Sequence, residues 1–235
     1  MYVIKKNDNF YEMIWYQTKG SDILADPDRT RLYTLESAMR AKRTIIDYAN
    51  NNNFNYFVTI TFDRKKVDRY NYVELKRLVI KYFNNFNQRK DKEFKYLLVP
   101  EFHKLKKGET IPALHFHALC RRDNKDDLHL IKQTDDTSIF RDKYFTKKFG
   151  KMNEWTLIYN STEFIGNYIS KYITKGIDNL ILDQYYYSSN GLKKSEEIFR
   201  TKILWETREP DYSNKFCKKW KLDLEEATQL IMDNS

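Results

Sequence analysis

Three of the chain's four histidines, His103, His115 and His117, lie within a short stretch of sequence. In a β-strand alternate side chains point to the same face, so the imidazoles of His115 and His117 would project together. On a preceding strand Glu101 and His103 share a face by the same alternation, and a hairpin would bring one of them beside the pair. Such a site leaves coordination positions open, as a catalytic metal ion requires. The alternative is a pair of surface histidines.

A second group of reactive side chains lies in the segment Tyr168-Ile-Ser-Lys171-Tyr172-Ile-Thr-Lys175. On a helix, with about 100° per residue, Tyr168, Tyr172 and Lys175 fall on one side and Lys171 lies at its flank. The isoleucines of the segment form the adjoining apolar stripe. The helix would therefore dock through isoleucine and present tyrosine. The alternative is an ordinary amphipathic helix with packed tyrosines and solvent-facing lysines.

The histidine group and the tyrosine group complement each other in phosphodiester cleavage. A tyrosine hydroxyl has a pKa of about 10, so a nearby cation is needed to favour the phenolate at neutral pH. A metal ion and a lysine would meet that need and would offset charge on the phosphoryl oxygens. Attack would leave a 5′-phosphotyrosine and a free 3′-hydroxyl. The predicted catalytic residues are Tyr168, Tyr172, Lys171 and Lys175, and the predicted metal ligands are His115, His117 and either Glu101 or His103.

The elements that would carry these residues follow an α+β pattern. Residues 56–62, 96–99, 114–120 and 155–159 are typical of strands, and the second and third of these predict a hairpin. Apolar spacing predicts helices over residues 34–48, 75–86 and 222–232, and from residue 161 onward. Residues 121–150 predict an irregular segment with a short helix near residues 125–130. We therefore expect one central antiparallel sheet of about five strands, flanked by helices.

The chain length favours one catalytic domain with extensions. The predicted organisation is an N-terminal helical leader over residues 1–53, a catalytic domain over 54–205, and a basic C-terminal helical extension over 206–235.

Lys and Arg outnumber Asp and Glu by 42 to 33, which gives a formal net charge of +9. This balance favours a polyanionic partner such as nucleic acid or an anionic membrane, although a merely solvated basic surface would look the same. Residues 184–194 combine an Asn-Gly turn with tyrosines and lysines, a mixture suited to base stacking and phosphate contact. We predict DNA contacts at Tyr186, Lys193 and Lys194; the alternative is a hairpin with packed tyrosines.

Several protein classes are disfavoured by what the sequence lacks. It contains no secretory h-region and no apolar run long enough to span a membrane, so a cytoplasmic protein is expected. Cys120 and Cys217 lie far apart without a CxxC partner, which excludes a cysteine zinc cluster. A phosphate-binding loop is absent, so no nucleotide is expected to bind and unwinding would need a separate helicase.

Three motifs occur in a fixed order: Phe-Val-Thr-Ile-Thr-Phe over 57–62, His-Phe-His over 115–117, and Tyr-x-x-Lys-Tyr-x-x-Lys over 168–175. Together they resemble the three motifs of the HUH endonuclease superfamily. More narrowly, they are similar to the replication initiators of small single-stranded DNA phages and rolling-circle plasmids. The resemblance runs from about residue 36 to residue 205, and the paired tyrosines are similar to the doublet of the microvirus initiators.

The resemblance implies a divalent metal ion, Mg or Mn, held by His115, His117 and a third ligand that matches Glu101 better than His103. It implies nicking of single-stranded DNA at a rolling-circle origin, in the host cytoplasm for a phage-encoded protein, with host helicase and polymerase as partners. Tyr168 ranks ahead of Tyr172 as the first nucleophile, and the two could alternate.

Two other interpretations stay open at this point. A relaxase or a single-tyrosine transposase uses a similar site for a different biological role. A non-catalytic module that binds single-stranded nucleic acid would need only the basic, aromatic surface, and its histidines and tyrosines would be incidental.

Overall fold

The computed structural model describes residues 1–16, 29–105, 110–150, 153–159, 162–174, 184–202, 208–214 and 217–234. The chain divides into two compact units, one formed by residues 1–29 with 193–235 and the other by residues 30–192. Each unit has its own antiparallel sheet.

The helices and strands follow one another along the chain in this order: β1 (Tyr2–Lys6), β2 (Tyr11–Tyr16), α1 (Arg29–Asn50), β3 (Tyr56–Ile60), α2 (Tyr72–Arg89), β4 (Lys95–Phe102), β5 (Leu114–Arg121), β6 (Leu128–Thr134), β7 (Thr137–Asp142), α3 (Lys143–Phe149), β8 (Asn153–Leu157), α4 (Thr162–Thr174), β9 (Tyr187–Ser188), β10 (Glu196–Thr201), β11 (Tyr212–Asn214), β12 (Cys217–Leu222) and α5 (Leu224–Asp233).

The larger unit is built on a seven-stranded sheet with the order β6-β7-β8-β3-β5-β4-β9. The predicted hairpin is its β4–β5 pair, in which Glu101 lies opposite His115 and Val99 lies opposite His117. Alternation along β5 sends Leu114, Phe116 and Ala118 to the other face of the sheet. The register therefore places the polar side chains of both strands together on one face.

The two faces of this sheet are covered by different helices. One face packs an aromatic core, including Phe83, Phe116 and Trp155, under α2 and α3. The other face packs Leu97, Val99 and Leu119 of the sheet against α1 and α4. The histidines lie on this second face, so α4 covers the same side of the sheet as His115 and His117.

Helix α4 docks through its isoleucine stripe, as its sequence pattern predicted. Ile169 and Ile173 are buried, whereas Tyr168 is 41% exposed. Gly166 lets α4 approach α1 closely, because a Cβ atom added at Gly166 would lie 2.6 Å from the Cβ atom of Ala49. The absence of a side chain at one position therefore sets the spacing of the two helices.

We expect Gly166→Ala to lower the free energy of unfolding by about 1–3 kcal/mol, because the added methyl group overpacks this contact. Ala49→Gly removes the opposing methyl group and should offset much of that loss. Chemical denaturation of both single variants and the double variant would measure the coupling. Simple additivity of the two single changes would contradict the close approach.

The smaller unit is a five-stranded sheet with the order β10-β1-β2-β12-β11. Its core contains Ile4, Met13 and Trp220, and α5 contributes Ala227. A capping box begins α5: the Asp223 side chain accepts from the Glu226 backbone nitrogen, and the Glu226 side chain accepts from the Asp223 backbone nitrogen. Segments distant in sequence thus share one sheet, since β1 pairs with β10 and β2 pairs with β12.

The predicted α+β class with an antiparallel sheet flanked by helices is confirmed, and the structure has two sheets. The strands at residues 2–16 lie within the segment predicted as a helical leader. The predicted boundaries at residues 53 and 205 differ from those of the compact units, because cross-strand pairing joins segments distant in sequence.

The prediction for residues 121–150 was wrong. Where a short helix near residues 125–130 was expected, the chain forms the β6–β7 hairpin, followed by α3. The cause is long-range pairing that local pattern does not reveal: β7 pairs with β8, and the buried Asp142 accepts a 2.6 Å hydrogen bond from Arg122. Asp142 also caps α3 by accepting from the backbone nitrogen of Phe145.

Candidate metal and tyrosine site

Glu101, His115 and His117 form a compact group of ligand atoms on the face of the sheet that α4 covers. One ligand atom from each residue lies within 4.8 Å of the others. The Nε2 atoms of His115 and His117 lie 2.6 Å and 2.9 Å from the same carboxylate oxygen of Glu101. This arrangement follows from the β4–β5 register, because Glu101 sits directly opposite His115 and next but one to His117 along the ladder.

The electrostatics of the group favour an ionised carboxylate. Burial raises the pKa of Glu101, but hydrogen bonds from His115 and His117, together with their charge, outweigh it and hold that pKa well below its usual range. Both histidines are buried, and Glu101 is half-buried. A buried carboxylate needs cationic or hydrogen-bonding partners, and here the imidazoles face it directly.

The donor set fits a divalent metal ion. Two imidazole nitrogens and one carboxylate oxygen converge, which is the two-histidine, one-carboxylate pattern that leaves positions open for substrate. The Nδ1 atom of His115 is buried and has no hydrogen-bond partner among the described residues. In that part of the chain, the polar contact of this ring is therefore made through the Nε2 atom that points at Glu101.

His103 lies beside this group but outside it. Its ring centroid is 4.0 Å from that of His115, with the two rings nearly perpendicular. Its backbone nitrogen donates to the carbonyl oxygen of Ala113, beyond the end of the hairpin. Of the two residues that sequence left open as a third ligand, Glu101 is the one that converges with both histidines.

Aromatic rings and a threonine position His117. The ring of Tyr172 stacks on it at 3.9 Å with an interplanar angle of 15°, and the Phe57 ring lies 5.6 Å away at 20°. Thr59 Oγ1 lies 3.4 Å from His117 Nδ1. Phe57 and Thr59 both belong to β3, so the first sequence motif contacts the second one across the β3–β5 pairing.

Phe57 and Thr59 are functional candidates that sequence reasoning missed. Their strand was predicted, and alternation placed Thr59 on a defined face, but nothing local indicated that this face would be the one carrying the histidines. The β3–β5 register, with Thr59 opposite His117, supplies that information.

The two tyrosines of α4 contact each other above the histidines. The Tyr172 hydroxyl donates a 2.9 Å hydrogen bond to the Tyr168 hydroxyl. Burial raises the pKa of Tyr172, and the hydrogen bond to Tyr168 and the charge of Glu101 raise it further. Tyr168 is the more exposed of the two, and its ring packs edge-on to Phe57 at 5.5 Å. Tyr172 is thus a held donor, and Tyr168 presents its oxygen outward.

The predicted lysines differ in what the structure gives. Lys171 is exposed, and its Nζ atom lies 6.0 Å from the centroid of the Tyr168 ring. Lys175 lies outside the described residues.

The predicted DNA-binding residues fall in both units. Tyr186 belongs to the larger unit and packs edge-on to Tyr48 of α1, with ring centroids 6.3 Å apart. Lys193 and Lys194 are exposed and belong to the smaller unit.

Comparison with known proteins identifies one family. The model of a family described as replication-associated protein ORF2 matches residues 55–177, just over half of the chain. This range contains Glu101, both histidines of β5 and both tyrosines of α4. Comparison with curated proteins and with solved structures gives no match. None of the helices in the described ranges has the length and apolarity to cross a membrane.

Proposed function

Because the chain belongs to this family of replication-associated proteins, we propose that it initiates replication as an HUH-type nickase of single-stranded DNA at a rolling-circle origin. The observation that carries this proposal is the convergence of Glu101, His115 and His117 directly beneath the tyrosine pair of α4. Replication is favoured over the relaxase and transposase roles by the family and by the paired tyrosines.

Glu101, His115 and His117 would hold the metal ion. A bound Mg²⁺ or Mn²⁺ would supply Lewis-acid stabilisation of the phosphoryl oxygens of the scissile phosphate. The protein's own contribution is to fix the donors: the sheet register sets their spacing, and the stacked ring of Tyr172 holds the imidazole of His117 in orientation.

Tyr168 is the proposed nucleophile. Its oxygen attacks phosphorus, the bond from phosphorus to the 3′ oxygen breaks, and the departing oxygen takes up a proton to become a free 3′-hydroxyl. The phenolic proton of Tyr168 passes to solvent. The Tyr172 hydroxyl donates to the Tyr168 oxygen and so stabilises the negative charge that develops there. Rejoining is the reverse, with a 3′-hydroxyl attacking the 5′-phosphotyrosine.

Lys171 and Lys175 are proposed to offset charge at the phosphate. For Lys171 the support is the position of its Nζ atom beside the Tyr168 ring. For Lys175 it is the repeated Tyr-x-x-Lys spacing in the sequence. We further propose that the protein acts in the host cytoplasm, with host helicase and polymerase.

The test uses single-stranded oligonucleotides tiled across the DNA that surrounds the gene. With Mn²⁺ or Mg²⁺ we expect one or a few of them to be cut, with a covalent adduct that survives denaturing electrophoresis. Matched reactions in EDTA should give neither product. Band shifts without an adduct on any oligonucleotide would reject the nickase and favour the non-catalytic binding module.

Thr59→Val should weaken metal binding about tenfold, because the side chain facing His117 Nδ1 loses its hydroxyl group while keeping its volume. Titration with Mn²⁺, followed by calorimetry, would measure the change. Thr61→Val, two residues further along and just past the end of β3, is the matched control. Equal affinities for the wild type and the Thr59 variant would contradict the positioning role of this hydroxyl.

A further inference from the structure

A cleft of about 620 Å³ lies at the edge of the seven-stranded sheet, where β9 pairs with β4. Its walls combine aromatic rings with side-chain amides. The residues that matter here are Tyr185, Tyr186, Tyr187, Asn84, Gln184 and Asn190. None of them belongs to the metal and tyrosine site described above.

The three consecutive tyrosines of the cleft are fixed from behind by different elements. The Tyr185 hydroxyl lies 2.9 Å from Ser37 Oγ, and Tyr186 packs edge-on to Tyr48. The ring of Tyr187 is buried and lies under the Lys76 Nζ atom, 5.0 Å from the ring centroid. Rings held in this way lose little freedom when a planar ligand packs against them.

The amides of the cleft offer both donors and acceptors. Asn84 Oδ1 accepts a 3.0 Å hydrogen bond from the Tyr96 hydroxyl, which leaves its Nδ2 atom directed elsewhere. Gln184 and Asn190 are exposed. Carboxamides match the paired donors and acceptors on the edges of nucleobases, and unpaired bases are bound in proteins by aromatic rings and such edge contacts.

Two lysines stand at the same cleft. Lys76 lies over Tyr187, and Lys95 Nζ donates a 3.2 Å hydrogen bond to the backbone carbonyl oxygen of Asn190. Their charges suit a phosphate next to a bound base. A small neutral ligand would give no reason for both lysines at the rim.

We propose that this cleft binds one unpaired nucleobase of single-stranded DNA together with an adjacent phosphate. The inference deepens the proposed function and rests on its single-stranded substrate. Leu98, which pairs with Tyr187, is three residues before Glu101 on β4, a separation of about 10 Å along the strand. The cleft therefore engages the strand a short way from the cut and helps to set its register.

Photocrosslinking tests the cleft without any need for cleavage. The full chain is irradiated in EDTA with oligo(dT) carrying 5-iododeoxyuridine, and the crosslinked peptide is identified by mass spectrometry. We expect crosslinks to residues 184–190. Crosslinks confined to other segments would overturn the proposal.

A pair of variants separates base recognition from charge. Gln184→Ala should weaken oligo(dT) binding about fivefold, the loss expected for one hydrogen bond. Gln88→Ala, an exposed glutamine on α2 that does not line the cleft, should change nothing. With an abasic oligonucleotide the two variants should bind equally. Equal binding of oligo(dT) by both variants would also overturn the proposal.

The two proposals fail separately. Crosslinks in the cleft without a covalent adduct in Mn²⁺ would reject nicking and keep the base-binding cleft. An adduct in Mn²⁺ without crosslinks or a Gln184 effect would reject the cleft and keep nicking.

Discussion

His117→Ala is expected to lower DNA cleavage about a thousandfold or more while leaving single-stranded DNA binding nearly unchanged. The imidazole contributes a ligand atom beside Glu101, and losing it removes several kcal/mol of stabilisation from the transition state. Binding should persist because lysine and arginine contacts to phosphates supply most of the affinity. Cleavage rates and fluorescence anisotropy on the same oligonucleotide would measure both effects.

His103→Ala is the matched control for that experiment. Its ring lies beside His115 but does not join the three converging ligand atoms, so cleavage should stay within a fewfold of wild type. If His103→Ala removed activity and Glu101→Gln did not, the third ligand would be wrongly assigned. Undiminished cleavage by His117→Ala would exclude a metal role for the pair.

Tyr168→Phe is the second change with a large expected effect: it should abolish the covalent DNA adduct. Tyr168 is the exposed member of the pair and accepts the hydrogen bond of Tyr172, so its oxygen is both accessible and supported by a donor. Removing one hydroxyl removes the nucleophile but leaves the packing against Phe57. Denaturing electrophoresis of the reaction with Mn²⁺ would report the adduct.

Tyr172→Phe serves as the counterpart, because it keeps the ring that stacks on His117 and deletes only the donated hydrogen bond. We expect the adduct to form about tenfold more slowly, in line with the loss of one hydrogen bond to a developing charge. An unchanged adduct in Tyr168→Phe, lost in Tyr172→Phe, would reverse the assignment. Loss only in the double variant would favour alternating tyrosines.

The local parts of the site could be predicted from sequence. Alternation on β5 correctly placed His115 and His117 on one face, and helical spacing correctly buried Ile169 while exposing Tyr168. The choice between Glu101 and His103 could not be made from the residues themselves. It depends on the register of β4 against β5 and on the strand ending near Phe102, which local pattern does not fix.

The parts of the fold that sequence did not predict all depend on long-range pairing. The β6–β7 hairpin has a polar, exposed edge strand, so its alternation is weak, and it is joined to the sheet through β8. The strands at residues 2–16 pair with partners about two hundred positions later, as Tyr2 does with Thr201. Contacts at such separations leave no periodic signal in either segment.

Sequence also undervalued the segment around Tyr186. The Asn-Gly turn and its tyrosines were recognised, but a packed hairpin and a DNA contact were treated as alternatives. In the structure the tyrosines are packed at their backs against α1 and α2, and they line an open cleft at their fronts. Packing and ligand contact can belong to the same rings.

Identifying the residue that becomes attached to DNA tests the central claim most directly. The denatured adduct would be digested with nuclease and protease, and the modified peptide sequenced by mass spectrometry. The account predicts a nucleotide joined through its 5′-phosphate to Tyr168 on α4, formed with Mn²⁺ and absent in EDTA. A linkage to a residue outside α4, or cleavage of the strand without any linkage, would contradict it.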